Sequence, residues 1–540
     1  MLHRRYLATG VSLAIVAMLV VTTVFLTGIA GAAPTHSASA GPRPEVEQAL
    51  HHDVSAPLRT LAHNRQSSGV RREMPLRTLP VPNGAKVQPD PVVQSSTPGP
   101  LVGTTAGLSF NGIGDTSNTS SNPCNCAPPD TNGAVGSTQF VQFVNTAFAV
   151  YNKSNGALTL GTTAGNSLWS GFGGGCETNN DGDILVQYDK LANRWVLSQF
   201  SVSTTPYLQC VAVSTTSDAT GTYNRYSFVE PNFNDYPKLG IWSDGYYFSF
   251  NMFNGNSFVG ARACAFDRAN MLNGAAATQV CFQQSSSVGS LLPSDLDGTT
   301  APPAGEPDFY MNFGSNSLNL WKFHVNFATP ASSTFTGPTV IAVAAFTAAC
   351  SGGGSCIPQP NTSNKLDSLA DRLMYRLAYR NFGTYEALLV NHAVTVSGGK
   401  RSSITGVRWY EIRNPNGAVS VYQQSTFSPN SNSRWMGSIA EDKNGDIALG
   451  YSESSGTLVP SIAYTGRVPT DTLGTMEAEN LVFTGGGSQT GTLHRWGDYS
   501  SMSVDPVDGC TFWYTTEYLA SSGSFNWSTR IVSFKFTGCV

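Results

Sequence analysis

Between Leu108 and Val540 the chain is a succession of short apolar and aromatic runs separated by turn residues. The runs recur at roughly ten-residue spacing, with Gly, Asn and Asp between them. This pattern is typical of antiparallel strands joined by tight turns, and helical periodicity is almost absent. Residues 368–380 are the best helical candidate, but their aromatics and the strand-like run that follows favour a sheet. The pattern predicts an all-β fold.

A longer repeat is superimposed on the strands. Four times a strand ends in Asp, a tight turn follows, and an apolar or aromatic strand returns, at Asp189, Asp244, Asp442 and Asp505. A carboxylate there can accept hydrogen bonds from N–H groups of the turn, so these four residues are predicted to be structural. Repeats of roughly 40–60 residues, each a four-stranded antiparallel unit, are typical of a β-propeller.

Seven segments are candidates for the first strand of such a unit. They begin near Asp130, Asp183, Asp235, Asp308, Arg372, Arg434 and Arg495. The sequence therefore predicts a seven-bladed β-propeller, with six blades as the alternative because the first and fourth units are poorly defined.

One hairpin resembles a known motif. In "SVDPVDGCTFW" the residues Ser503, Asp505, Gly509, Thr511 and Trp513 follow the order of the Asp-box of sialidase-type propellers, with two extra residues before Gly509 and one before Trp513. The wider pattern, including "PPDTNGAVG", "DYPKLGIWSDGYY" and "RWGDYSSMSVDP", resembles a group of uncharacterised secreted bacterial propeller proteins. The likeness covers about residues 108–540, and it implies a propeller without a particular activity.

The N-terminus has the features of an export signal followed by a leader. Arg4 and Arg5 precede an apolar run over residues 11–27, and Ala30-Gly31-Ala32 forms a cleavage pattern. An uncleaved membrane anchor is the alternative, given the length of the run. The next segment is rich in Pro, Ser and Arg and poor in aromatics, which is typical of a flexible, propeptide-like leader. The expected division is a signal peptide at 1–32, a leader at 33–107 and a propeller at 108–540.

Composition favours a secreted protein. The order of the ten cysteines suggests local disulfides, which persist outside the cytoplasm, and leaves Cys124 and Cys126 over. The suggested pairs are Cys176–Cys210, Cys264–Cys281, Cys350–Cys356 and Cys510–Cys539. Only 12% of residues are charged and the net charge is −4, which excludes a nucleic-acid binder with clustered Lys and Arg. We expect a monomer with no membrane partner after signal cleavage.

The scarce charges stand at the starts of the predicted first strands. In a propeller these starts face one mouth of the central channel, so their side chains would converge on a funnel. The predicted catalytic residues are Asp183, Asp235, Asp308 and Tyr375. The predicted substrate-binding residues are Asp130, Arg372, Arg434, Trp435, Arg495, Trp496 and Asp498.

Such a rim suits an extracellular polysaccharide or glycoconjugate. Aromatic faces pack on a pyranose, while carboxylates and Arg bind its hydroxyls or an acidic sugar's carboxylate. Paired carboxylates indicate a glycoside hydrolase, with Glu411 and Glu517 in reserve. A lyase would use Tyr375 with Arg372, or His392. The alternatives are glycan binding without turnover, a protein-interaction surface, and Arg–Asp pairs that close the channel.

No cofactor is expected. The segment "NNDGD", residues 179–183, has the oxygen-rich composition of a calcium turn and is a candidate for a structural Ca²⁺, but it lacks the ligand spacing of an EF-hand. His324, His392 and His494 are far apart in sequence and do not suggest a zinc site.

Overall fold

The computed structural model describes residues 43–61, 72–74, 76–77, 79–80, 88–97, 101–114, 126–397 and 404–540. Across these ranges the chain is almost entirely strand and turn, so the predicted all-β fold is confirmed. The described helical segments are short: Leu58–Thr60, Gly165–Trp169, Gly174–Thr178, Arg268–Leu272, Pro330–Ser332 and Cys350–Gly353. None of the described helices has the length and apolar character needed to cross a membrane. The predicted signal peptide lies outside the described residues.

Seven antiparallel sheets follow one another along the chain, and in each the strand named first below is the inner strand. Sheet 1 contains Thr131–Val135, Gln139–Val144, Ala147–Asn152 and Leu158–Ala164. Sheet 2 contains Leu185–Asp189, Arg194–Ser201, Tyr207–Ser214 and Tyr223–Glu230. Sheet 3 contains Phe233–Ile241, Gly245–Asn254, Ser257–Asp267 and Thr278–Gln283. Sheet 4 contains Leu292–Asp297, Asp308–Gly314, Ser317–His324 and Thr334–Ala342.

The remaining three sheets repeat this order. Sheet 5 contains Met374–Asn381, Glu386–Ser397, Ile404–Arg413 and Ser420–Phe427. Sheet 6 contains Ser433–Glu441, Ile447–Ser454, Ser461–Arg467 and Asn480–Phe483. Sheet 7 contains Ser501–Val504, Phe512–Leu519 and Trp527–Phe536, and its outermost strand is Thr104–Gly114 from the N-terminal part of the chain. Two further pairs of short strands join Arg72–Glu73 with Cys126–Ala127 and Ser355–Ile357 with Leu366–Asp367.

The inner strands form a closed ring. Each contacts the inner strand of the next sheet, and that of sheet 7 contacts that of sheet 1. Sheets 4 and 5 are also joined by parallel pairing of residues 294–297 with 377–380. The ring requires close approach, since a Cβ on Gly240 would lie 2.1 Å from the carbonyl oxygen of Ser294. A ring of radially arranged sheets is the architecture of a β-propeller.

Burial on both faces explains why many strands show no polar–apolar alternation. In Gly245–Asn254, which has the sequence GYYFSFNMFN, every residue except the last is buried. A strand covered on both faces reads as a continuous apolar run. Aromatic contacts join neighbouring sheets, for example Phe282 of sheet 3 with Phe323 of sheet 4, whose ring centroids are 5.2 Å apart.

The leader differs from the sequence prediction of a flexible segment over 33–107. Its described parts include Glu45–Gln48 on the edge of sheet 3, His51–Val54 on the edge of sheet 2 and Val93–Gln94 on the edge of sheet 5. The strand Thr104–Gly114 also begins before the expected boundary at residue 108. These edge strands contribute main-chain hydrogen bonds more than a buried face, so they need few aromatic residues.

The disulfides and most of the Asp turns agree with the sequence. The four suggested pairs are bonded, and Cys126 is also in a disulfide, while Cys124 lies outside the described residues. Asp189, Asp442 and Asp505 accept hydrogen bonds from turn N–H groups as predicted. Asp244 differs, because its carboxylate accepts from the hydroxyl of Tyr247.

Candidate active site

A cavity of about 220 Å³ lies at the starts of the inner strands, and we call it the mouth pocket. Its lining includes six residues that the sequence analysis selected, from the segments that lead into sheets 1, 2, 3, 5 and 7: Asp130, Asp183, Asp235, Arg372, Arg495 and Asp498. We call these six residues the funnel cluster. They are up to 368 positions apart in the sequence, as in the hydrogen bond of 2.7 Å from the Asp498 N–H to Oδ1 of Asp130. The ring therefore brings these charges together.

The backbone positions two of these carboxylates in an uncommon conformation. Asp130 has a φ of 48° and Asp183 a φ of 45°, in the left-handed region that non-glycine residues rarely adopt. Asn145 connects them: its Nδ2 donates to Oδ2 of Asp130 at 2.8 Å, and its Oδ1 accepts from the Asp183 N–H at 3.4 Å. Strained positions of this kind concentrate at functional sites. Sequence reasoning missed Asn145, whose only signal is its place in the turn between two strands.

Crowding of carboxylates in a buried site changes their protonation. Burial, with repulsion from Asp183 and Asp498, raises the pKa of Asp235 to about 7. Burial and the charge of Asp498 raise the pKa of Asp183 to about 6. The pKa of Asp130 is also raised well above its ordinary value, by burial and then by Asp498. Groups with such values exchange protons near neutral pH, as acid–base catalysis requires.

Both arginines of the funnel cluster already have carboxylate partners. The Arg495 guanidinium forms ion pairs with Asp498 and, at 3.0 Å, with Asp367. The Arg372 guanidinium pairs with Asp371 at 2.6 Å and lies 4.4 Å from the ring centroid of Tyr236. These arginines therefore have less capacity to hold an acidic sugar than the sequence analysis supposed.

Lys238 lies at the base of the funnel cluster without an ion pair among the described residues. Its Nζ is 3.3 Å from the ring centroid of Tyr236 and 4.2 Å from that of Tyr499, and it donates to the carbonyl of Pro237 at 2.8 Å. Burial lowers the pKa of Lys238 to about 7, although Asp183 opposes this shift. The ammonium group of Lys238 is close enough to the carboxylates to lower the pKa of Asp183.

Two more buried carboxyl groups lie close to Arg495. Burial raises the pKa of Asp367 to about 7, although Arg495 opposes the shift. Burial, with repulsion from Asp130, raises the pKa of Glu517 well above its ordinary value, and its Oε1 has no hydrogen-bond partner among the described residues. The sequence analysis kept Glu517 in reserve and missed Asp367, which stands in the short strand Leu366–Asp367 outside the seven sheets.

Several predicted site residues lie away from the mouth pocket. Asp308 starts the second strand of sheet 4, not the inner strand, and it accepts from the Ser294 hydroxyl at 2.5 Å in the interior. Tyr375 is buried, with its hydroxyl bonded to Gln187. Arg434 points away from the pocket and pairs with Glu453 and Glu479 at 2.8 and 2.5 Å.

The two predicted tryptophans are also core residues. Trp435 and Trp496 are buried, with ring centroids 5.8 Å apart, and the indole N–H of Trp496 donates to the Ser452 hydroxyl at 3.1 Å. They support the sheets beneath the pocket and do not line it. His392 is buried between Phe346 and Tyr410, and Glu411 pairs with Arg413 at 2.5 Å, so these reserve residues are structural.

A second set of charges lies on the inner strands themselves. Arg376 of sheet 5 bonds to Asp295 at 2.8 Å and to Asp297, both from sheet 4, and donates to the carbonyl of Met502 in sheet 7 at 2.9 Å. Lys190, from the turn of sheet 2, is 3.4 Å from Asp297. We call Arg376, Lys190, Asp295 and Asp297 the channel cluster. Its ion pairs cross the ring, and sequence reasoning did not select any of the four.

Metal binding finds little support among the described residues. The one group of three candidate ligand residues within 4.8 Å is Asp442, Cys510 and Cys539, and the two cysteines are joined in a disulfide. In the proposed calcium turn, the Asp181 carboxylate accepts from the N–H groups of Val202 and Ser203 at 2.6 and 2.8 Å. That carboxylate therefore holds a protein loop.

The N-terminal part of the chain contributes to the same pocket. Met74, Leu76 and Arg77 lie in its lining, and Nη1 of Arg495 donates to the Met74 carbonyl at 3.0 Å. The pocket of about 220 Å³ is smaller than ligand pockets commonly are, at roughly 300–1,000 Å³. Residues of the leader fill part of the funnel.

No protein-family model matches the chain, and no curated protein sequence matches it. Similar solved structures include the α-L-arabinofuranosidase Arb93A from Fusarium graminearum, with 9% identity, coverage of 81% of this chain and 99% of that chain, and a TM-score of 0.34. They also include the WD40 domain of SCAP from fission yeast, with 7% identity, 74% and 79% coverage and a TM-score of 0.31. The exo-β-1,3-galactanase 1,3Gal43A from Clostridium thermocellum has 10% identity, 62% and 77% coverage and a TM-score of 0.29. These similarities are too low to assign an activity, and the sialidase resemblance is not confirmed.

Proposed function

We propose that this protein is a secreted, seven-bladed β-propeller that cleaves an extracellular polysaccharide at the mouth pocket. The observation that carries the proposal is the convergence of Asp130, Asp183, Asp235 and Asp498 from separate sheets into one small cavity. The seven sheets and the closed ring of inner strands support the blade count. Four disulfides and the signal-like N-terminus support secretion.

Glycoside hydrolysis needs one carboxyl group that donates a proton and a second that acts as base or nucleophile. Asp235, with a pKa raised to about 7 by burial and its acidic neighbours, holds its proton at weakly acidic pH and serves as the general acid. Asp183, with a pKa of about 6 that has the same origin, ionises first and serves as the base or nucleophile. Asp130, Arg372, Arg495 and Asp498 bind the sugar hydroxyls.

The charge of the pocket favours a neutral or amino sugar over an acidic one. The lining has five Asp and three Arg, and Arg372 and Arg495 are already paired with carboxylates. An acidic polysaccharide would find few unpaired cations in this lining and would be repelled by the carboxylates that stay ionised. A lyase is also disfavoured, because Tyr375 lies outside the pocket and Arg77, the arginine of the described lining without a carboxylate partner, already stacks on Phe233 and Phe253.

The test is incubation of the protein with neutral, amino-sugar-containing and uronate-containing polysaccharides, with reducing ends and ultraviolet-absorbing products measured. We expect new reducing ends from a neutral or amino-sugar polymer. Asp235→Asn and Asp183→Asn should each lower kcat by roughly 10²–10⁴-fold, the usual contribution of a proton-transfer group. Asp218→Asn, at an ion pair with Arg59 whose side chain is 56% exposed, is the matched control and should keep full activity.

Retention on immobilised polysaccharide without any product would instead identify a carbohydrate-binding propeller. Unsaturated products would identify a lyase. Full activity in both Asp235→Asn and Asp183→Asn would show that the mouth pocket is not the active site.

A further inference from the structure

We call the described leader residues 72–74, 76–77 and 79–80 the strap. Three of them, Met74, Leu76 and Arg77, line the mouth pocket. The strap is held at its start by parallel pairing of Arg72–Glu73 with Cys126–Ala127, and the Met74 N–H donates to the carbonyl of Ala127 at 2.7 Å. This pairing fixes the strap to the segment that leads directly into Asp130.

Within the pocket the strap uses groups that a ligand would otherwise contact. The carbonyl of Met74 accepts from Arg495, a member of the funnel cluster, at 3.0 Å. The Arg77 guanidinium lies 4.2 Å from the ring centroid of Phe233 and 4.9 Å from that of Phe253, and it donates to the carbonyl of Gly255 at 3.3 Å. Phe233 lines the pocket beside the carboxylates, so Arg77 covers an aromatic surface on which a sugar ring would stack.

The strap then continues into a second cavity, of about 370 Å³. Leu79 and Pro80 line this cavity, and the Leu79 N–H donates to Oδ2 of Asp371 at 3.3 Å. Arg372 lines both cavities, and the lining of the second one also includes Trp321, Asn312 and Asn319. Because the two cavities share Arg372 and are both lined by the strap, they adjoin, and we call them together the cleft.

We propose that this cleft binds an extended polysaccharide chain and that the strap occupies it as a built-in competitor. The proposal rests on the glycan function proposed above and adds two statements to it. The substrate is a polymer that spans both cavities, because an end-on single sugar would need only the mouth pocket. The full chain binds this polymer weakly, because the strap must leave before the polymer can enter.

The strap also matches the cleft in charge. It places the cationic Arg77 among the carboxylates of the mouth pocket, where Arg77 lowers the pKa of Asp235. Its amino-acid sequence has basic residues on both sides of Glu73-Met74, at Arg71, Arg72 and Arg77, where an arginine-specific protease can cut. Proteolysis is therefore a route by which the competitor can be removed.

The experiment uses the full chain with recognition sequences for one specific protease inserted within residues 62–70 and 81–87, on both sides of the strap. After cleavage and removal of the released peptide, a fluorescent synthetic peptide of residues 71–80 is titrated onto the cut and uncut proteins. We expect binding to the cut protein at least tenfold tighter than to the uncut one. A chain cut at only one of the two sites is the control and should behave as the uncut protein.

The same samples are then titrated with the polysaccharide and with its short oligosaccharides. We expect cleavage at both sites to increase polymer binding at least tenfold and the added peptide to reverse the gain. Failure of the peptide to bind the cut protein, or equal polymer binding before and after cleavage, would overturn the strap proposal while leaving the glycan function standing. If the peptide binds the cut protein but no polysaccharide does, the strap does occupy the cleft and the proposed glycan function is wrong.

A single substitution gives a second test without cleavage. Arg77→Ala in the full chain removes the stacking on Phe233 and Phe253 and should raise polymer affinity about fivefold, since a cation–π contact contributes on the order of 1 kcal/mol. Arg59→Ala, which removes another leader arginine far from the pocket, should leave it unchanged. Equal affinities for the two variants would count against the strap.

Discussion

The funnel cluster and the channel cluster are both built from charges on or beside the inner strands, yet their chemistry differs. In the channel cluster, Arg376 and Lys190 face Asp295 and Asp297, and the ion pairs connect different sheets. In the funnel cluster four carboxylates share two arginines, and those arginines also pair with Asp367 and Asp371. Scarce charge at a repeated position is therefore no sign of function by itself. The excess of one sign in an open cavity is the informative feature.

The largest expected effect comes from breaking the channel cluster. Arg376→Met leaves Asp295 and Asp297 buried without their main cation, and removing one partner of a buried ion pair costs about 3–5 kcal/mol. We expect a loss of this size in the free energy of unfolding, measured by urea denaturation at pH 7. Arg59→Met, at the exposed pair with Asp218, should cost at most about 1 kcal/mol. A similar loss in the free energy of unfolding for both variants would mean that the channel cluster does not stabilise the fold.

Removing a carboxylate from the funnel cluster should instead increase the free energy of unfolding. In the folded protein the pKa of Asp235 is raised from its ordinary value of 3.8 to about 7, so the folded state binds the proton more tightly than the unfolded state. The free energy of unfolding therefore falls as the pH rises between these two values. Asp235→Asn should therefore raise the free energy of unfolding at pH 8 by about 2–4 kcal/mol and have little effect near pH 4. Thermal unfolding at both pH values measures this. A destabilised variant at pH 8 would contradict the contrast between the clusters.

A substitution of Lys238, next to the funnel cluster, should have a smaller effect. Its cation lowers the pKa of Asp183, so Lys238→Met should move that pKa upward from about 6. The acid limb of the kcat/KM profile should shift to higher pH, and a ¹³C carboxyl titration of Asp183 should show the same shift. Lys443→Met, on the surface near the C-terminus, is the control. An unchanged acid limb would show that Lys238 does not influence the acid–base chemistry.

The smallest effect is expected at an ordinary turn carboxylate. Although burial opposes it, hydrogen bonds from Thr511 and Cys510 lower the pKa of Asp508. Its stabilising contribution is therefore present above pH ~4 and is lost as pH falls through the folded pKa, the reverse of Asp235. Asp508→Ala should cost about 0.5–1 kcal/mol at pH 7 and less at pH 3, where the unfolded state already holds the proton. Chemical denaturation at the two pH values distinguishes a turn Asp from a funnel Asp.

The sequence predicted the funnel cluster well where strand starts were marked by charge next to an apolar run. It missed the inner strand of sheet 4, because LPSDLD contains a Pro and two Asp and does not read as a core strand, whereas DFYMNFG does. Asp308 was therefore placed at the wrong strand. The sequence also did not show in which direction the side chains point. Arg434 and Tyr375 lie at correctly identified segments, but register shifts in sheets 5 and 6 turn the neighbouring side chains, and sequence pattern does not show a bulge.

The composition of the leader did not reveal that parts of it form strands. Strands such as EVEQ and HHDV expose most of their side chains and are held by main-chain hydrogen bonds to a sheet edge, which leave no hydrophobic pattern. Asp367 and Asn145 were missed for a related reason. Each lies in a connection or a short strand, and its importance comes from hydrogen bonds with other segments of the chain.

Thr104–Gly114 completes sheet 7 by pairing with the strand Trp527–Phe536, and the paired residues Thr104 and Phe536 are 432 positions apart. During synthesis this early segment emerges long before its partner, so the ring stays open until residues 527–536 have been made. Assembly that depends on so distant a pairing is expected to be slow, and it leaves unpaired edges exposed to other chains meanwhile. Chaperones would therefore meet this protein as an unfinished ring.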